Sequence, residues 1–243
     1  MKHIWLTIFF ILFTIVAVQA QGQESFSKLN TLKINTSDSS INSFIKFEGH
    51  SSEVINKKFE KLPDFLVDYC GNDNVRLIRT KINSRKDKYY VITFGAYDGW
   101  LTGFTIYEEE KPNRIVGQIK ANSIIVPGDG NVYAVSRYYE NFEAKKKFSL
   151  IDNQLKEVKQ PFYSVNLTSY ALRPISIYSD IGLSNEIAIV PEDESIEIIL
   201  STDTDSKSDI YLVRTSIGLI GWAKLRAGQY KSVDVEGLYY WGD

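Results

Sequence analysis

His50 and Cys70 are the side chains best suited to nucleophilic or metal chemistry, and their surroundings limit both. The only other histidine, His3, lies in an N-terminal segment read below as cleaved. A Ser-His-Asp triad would therefore depend wholly on His50. That residue sits in Glu48-Gly-His-Ser-Ser52, a loop-like stretch with no nucleophile elbow, and reads as a surface histidine. A structural zinc site gathers several Cys and His ligands, more than His50 and Cys70 can supply. No metal is expected. Cys70 is the only cysteine, so no intrachain disulfide forms, and it reads as a small buried hydrophobe.

Carboxylate chemistry needs no histidine, so a glycosidase stays open on that ground. Its candidate acids are Asp98, Glu108, Glu109 and Glu110. The three successive glutamates precede Lys111-Pro-Asn113 and look like a hairpin tip in water. Gly128-Asp-Gly130 lacks the length and lysine of a phosphate-binding loop. It also lacks the acidic spacing of a calcium loop. It reads as a turn, and no cofactor is expected. Aromatic display remains. Tyr97 and Trp100 bracket a turn, and Tyr239-Tyr-Trp241 lies near the end of the chain. Such rings can stack on sugars or anchor a protein partner; the alternative for the final trio is packing back onto the fold.

Lys2 and His3 are followed by an apolar run from Ile4 to Ala17 and then Val18-Gln-Ala20. This reads as a secretory signal, residues 1–20, cleaved between Ala20 and Gln21, with an uncleaved anchor the alternative. The run is shorter than the roughly 20 residues a membrane span needs, so no stable span is expected after cleavage. Export to the periplasm or beyond follows as an expectation. The formal net charge is −2 with acids and bases interspersed. Nucleic acid is therefore not an expected partner, because it would require a basic face.

Strand signals dominate the elements that must position these residues. Residues 21–43 are rich in Ser, Asn and Thr and read as a flexible leader. Phe44–Phe47 reads as the first strand, and Glu53–Leu62 as a short helical turn ended by Pro63. From Val75 onward, alternating segments and turn clusters follow one another. Lys147–Ile151, Asp152-Asn-Gln154 and Leu155–Val158 read as a hairpin. Phe104-Thr-Ile-Tyr107 and Phe148-Ser-Leu-Ile151 echo each other weakly, as two blade-like units would. Two copies cannot close a propeller ring. The expectation is an all-β, mainly antiparallel chain. An antiparallel β domain of blade-like hairpins spans 44–168, a second domain 169–226, and a tail 227–243.

The segment Ile210-Tyr-Leu-Val-Arg-Thr-Ser-Ile-Gly-Leu-Ile-Gly-Trp-Ala-Lys-Leu225 carries the most specific signal. Ile210, Leu212 and Arg214 point one way, and Tyr211, Val213 and Thr215 the other. Ser216-Ile-Gly218 makes the turn, and Gly221-Trp222 opens the return strand. With Leu172–Tyr178, Glu186–Val190 and Glu194–Leu200 before it, the region resembles a bacterial Src-homology-3-like domain. That resemblance implies a small closed barrel over 169–226 that recognises a cell-wall peptide or a protein partner. Cell-wall cysteine peptidases often carry such barrels, but they need a histidine after the cysteine, and here His50 precedes Cys70. The region where the family often has an Asn-Val-Arg-Ser-Gly-Pro-like segment reads Ile175-Ser-Ile-Tyr-Ser-Asp180 instead.

The candidate ligand contacts are Tyr178, Tyr211, Trp222, Tyr97 and Trp100; Trp222 reads first as a structural core residue and second as a ligand contact. The expected function is non-catalytic binding of a cell-wall peptide or an envelope protein. Two alternatives stand beside it. One is a carbohydrate-binding or carbohydrate-cleaving envelope protein that uses Trp100 and nearby acids. The other is a structural or inhibitory partner of another envelope protein.

Overall fold

The computed structural model describes residues 28–34, 43–55, 77–97, 101–137, 140–204, 209–226 and 230–239. The signal segment with its Ala20–Gln21 junction, and also Cys70, Asp98, Trp100, Tyr240 and Trp241, lie outside these residues.

All regular structure of more than one turn among the described residues is β, in mostly antiparallel sheets. β1 (Asn30–Ile34) pairs with β2 (Ser43–Phe47), with Leu32 opposite Ile45. β3 (Glu53–Ile55), β4 (Leu77–Thr80), β5 (Tyr90–Tyr97), β6 (Leu101–Glu108) and β7 (Lys111–Lys120) form a meander in that order. β8 (Ser123–Val126) then returns to run parallel to β2. β9 (Asn131–Ser136), β10 (Ala144–Ile151) and β11 (Gln154–Val158) complete a six-stranded sheet ordered β1-β2-β8-β9-β10-β11. Asp152 and Asn153 both have positive φ, as the two-residue turn between β10 and β11 requires.

These two sheets share one core. Ile45, Phe47, Ile124 and Val132 come from one sheet, and Ile78, Ile92, Phe104 and Ile106 from the other. They are the two layers of a sandwich. The two echoing segments fall in different sheets, Phe104–Tyr107 in β6 and Phe148–Ile151 in β10, and the sheet of β10 is split in sequence by β3–β7 rather than formed as one contiguous unit. Each such side chain, removed from water, contributes about 1.5–3 kcal/mol.

The third sheet holds β12 (Tyr163–Tyr170), β13 (Ile175–Tyr178), β14 (Glu186–Val190), β15 (Ser195–Ser201), β16 (Ile210–Thr215) and β17 (Ile220–Lys224). Its order is β12-β15-β16-β17-β13-β14. β12 belongs to it throughout, and so runs across positions 168 and 169, where the sequence reading divides the chain. The 210–225 hairpin forms as expected, with Gly218 at φ +87° in its turn. The expected barrel does not: the sheet stays open, with β12 and β14 at its edges. The physical reason is that other segments cover its inner face. Phe142 and Ala144 reach it from the β9–β10 connection and β10, and Val235 and Leu238 from the C-terminal region. β10 therefore ties the two cores together, since its Phe148 and Leu150 pack on the sandwich.

Three further expectations change. The part of the leader that is described forms β1, because Leu32 and Ile34 alternate with polar residues and pack on the sandwich core. Residues 53–55 are strand β3 rather than helix, being paired to β4 with Val54 opposite Ile78; residues 56–62 lie outside the described set. The described part of the 227–243 tail is built into the fold. Asp234 is buried there, and its carboxylate accepts hydrogen bonds from Arg226 and pairs with Arg173 Nε at 2.8 Å.

Candidate binding face

Strand alternation divides the C-terminal sheet into two faces. Tyr163, Ser201, Tyr211 and Ala223 are successive cross-strand partners on the inner face, and all four are buried. One residue along each strand, the partners are Ser164, Leu200, Leu212, Trp222, Tyr178 and Glu186. This second row crosses all six strands on the outer face. Its apolar members are half-buried.

Trp222 is the centre of the row. It is opposite Leu212 on one side and Tyr178 on the other. The Phe162 ring lies beside it, with centroids 5.7 Å apart and planes tilted by 39°. Phe162 is 40% exposed, and Ile189 and Ile220, on strands of the same sheet, are 58% and 47% exposed. Arg214 and Glu197 form an ion pair at 2.8 Å on the same face. The arrangement offers flat rings next to aliphatic groups, flanked by paired charges. It can take a planar or extended ligand by contact and stacking.

Gly221 allows this geometry. A Cβ there would lie 2.5 Å from Ile177 Cγ2 and 2.6 Å from the Tyr178 carbonyl oxygen. The small residue lets β17 approach β13 closely, which brings Trp222 beside Tyr178. The adjoining loop is organised by Asp180. Its carboxylate accepts hydrogen bonds from the Ser184 hydroxyl at 2.9 Å and the Asn185 amide at 3.2 Å. The Ser184 hydroxyl chiefly, with backbone amides, holds this carboxyl below its ordinary pKa.

The structure separates the sequence-derived candidates. Tyr178 and Trp222 come together on the outer face. Tyr211 is only 1% exposed and faces inward, hydrogen-bonded to Asn141 and Ser201. Burial pushes its phenol pKa up. It adjoins a recess, lined also by Asn141, Leu225, Ser232 and Leu238, with room for about one water. Tyr97 ends β5 opposite Leu101, far along the chain from these residues, and Trp100 is outside the described set. Phe162 and Leu212 were missed as contacts. The alternation of β16 had placed Leu212 opposite Tyr211, but Phe162 follows Pro161 and carried no periodic signal.

Of the candidate carboxylates, Glu108 and Glu109 are held in ion pairs, Glu110 is exposed at the β6–β7 turn, and Asp98 lies outside the described residues. Glu108 is buried, not in a solvated tip. Lys88 Nζ donates to it at 2.8 Å and Arg114 lies 3.6 Å away. The Lys88 hydrogen bond, against burial, holds its carboxyl below the ordinary range. Glu109 takes both arms of Arg79, at 2.6 and 2.9 Å. Glu140 is buried beside Lys146, and burial raises its pKa. His50 is fully exposed and hydrogen-bonds Glu48. Among the described residues, no group of three or more His, Cys, Asp or Glu could hold a metal, and no helix is long and apolar enough to cross a membrane.

No protein-family model matches the chain, and neither a curated protein nor a solved structure does.

Proposed function

We propose that this is an exported, non-catalytic binding protein whose C-terminal sheet takes a cell-wall peptide on its outer face. The observation that carries the reading is the row from Leu200 through Leu212 and Trp222 to Tyr178, widened by Phe162. An antiparallel sheet with one covered face normally turns a polar face to water, so apolar and aromatic groups at the centre of the open face mark it for contact. Glu186 ends the row with an exposed carboxylate suited to a peptide amine. The signal-like residues 1–20 support export. The ion pairs that occupy Glu108 and Glu109 support binding over carboxylate catalysis.

Retention on purified peptidoglycan tests this reading, followed by separate assays with released peptides and glycan strands. Trp222→Ala should weaken retention by roughly tenfold, the effect of losing about one strong aromatic contact. Equal retention of variant and parent removes the assignment. Binding confined to glycan strands would instead select the carbohydrate-binding reading.

A further inference from the structure

We propose that the free edge of β14 accepts an extended, lysine- or arginine-bearing segment of a partner protein as a seventh strand. This surface is the backbone edge of the sheet and goes beyond the aromatic face described above. β14 is terminal in the sheet order and pairs only with β13 among the described residues. An unpaired strand edge displays amide and carbonyl groups ready to bond another chain.

Natural edges are commonly guarded by an internal lysine, a proline or a covering segment. β14 reads Glu186-Ile-Ala-Ile-Val190 with no lysine or proline inside it; Pro191 follows it, and its register with β13 is regular over Ala188–Val190 but bulged at Ile187, so the regular edge is short. The residues on both sides, 179–204, are all described, and none pairs with its outer edge. Other edges differ. β11 lies against β7, and β12 against β10. β1 and β3 adjoin segments outside the described residues. The isoleucines of β14 stand out from the fold, Ile187 at 40% and Ile189 at 58% exposure. Ile181, in the preceding loop, is 44% exposed. These suit a partner strand with β-branched or other apolar side chains at alternate positions.

Charge selects the occupant. Glu186 begins the strand, and Glu192, Asp193 and Glu194 follow it just after Pro191. All four are exposed, and none forms an ion pair among the described residues. A second copy pairing edge to edge would bring like charges together at both ends, in either strand direction. A segment with basic residues flanking an apolar centre meets the same carboxylates favourably.

The test uses the full chain and three fluorescent synthetic peptides. One alternates lysine and valine, one alternates glutamate and valine, and one is the lysine peptide N-methylated at every backbone amide, so that neither edge can donate. The lysine peptide should bind roughly tenfold or more tightly than the glutamate peptide and weaken as salt rises. N-methylation should abolish binding by removing the donors the edge must pair. Hydrogen exchange should slow over residues 186–190 on binding. The exposed-site double variant Glu186→Lys, Glu192→Lys balances the remaining Asp193 and Glu194 and should abolish the charge preference. Equal affinity for both charges, absence of binding, or protection centred on residues 220–224 would overturn the proposal. Concentration-dependent protection of 186–190 without peptide would overturn it in favour of a second copy.

Discussion

Trp222 and Tyr178 are directly opposed across the one register pair that joins β17 to β13. The C-terminal sheet is continuous only because that pair links the 210–225 hairpin to the β13–β14 hairpin. The same two side chains lie in the middle of the outer-face row. A structural joint and the candidate contact surface therefore coincide. A double-mutant cycle on Tyr178→Ala and Trp222→Ala should show a coupling of about 0.2–1 kcal/mol in urea unfolding, as for other cross-strand pairs. Strict additivity would mean that the two rings act separately.

Gly221→Ala should be costly although it adds one methyl group. The new carbon would press on the Tyr178 carbonyl and Ile177 Cγ2, and a backbone oxygen cannot swing aside. Overpacking of this kind costs about 1–3 kcal/mol. A denaturation midpoint equal to the parent's would show that β17 and β13 are not held this closely.

Tyr211→Phe should separate fold from function. It keeps the buried ring and removes the hydroxyl bonded to Asn141 and Ser201. The expected loss is about 1–2 kcal/mol of stability, with retention on peptidoglycan unchanged at saturating folded protein. Loss of retention with full stability would place Tyr211 in the contact surface.

Glu48 makes acid stability testable. Burial opposes its ionisation, but hydrogen bonds from the His50 amide, the Ser51 hydroxyl and amide, and the His50 ring lower its pKa from 4.5 to about 2. The folded value lies below the unfolded one. Its contribution is therefore complete above pH 4.5 and disappears as pH falls toward 2. Glu48→Gln should flatten the stability profile in that window. An unchanged profile, or a carboxyl titrating near 4.5 by NMR, would contradict the assignment.

Alternation and turn chemistry made the strand content readable from residues 75 to 225. The Asp152-Asn153 turn and the Gly218 turn were both legible, because positive φ is a local demand on residue type. The opposite faces of Tyr211 and Leu212 were legible for the same reason, since a strand's period is two. β1 was less so: its two apolar residues are few, and only pairing with β2 gives them a surface to bury against. Glu108 could not be read as buried from its neighbours, because Lys88 and Arg114 reach it from other points in the chain.

Local residue pattern specifies the β character of the described residues, the positions of most strands and the turns between them. These depend on residues within a few positions of one another. Which face of the C-terminal sheet is hidden depends on long-range packing. Both faces of β16 and β17 carry apolar residues, so local pattern cannot choose between them. The choice is made by Phe142, Ala144, Val235 and Leu238, which arrive from distant segments and cover the Tyr211 side. That burial leaves the sheet open and places Trp222 and Tyr178 on the opposite face, because closing the sheet on itself is unnecessary once other chain segments exclude water from its inner surface.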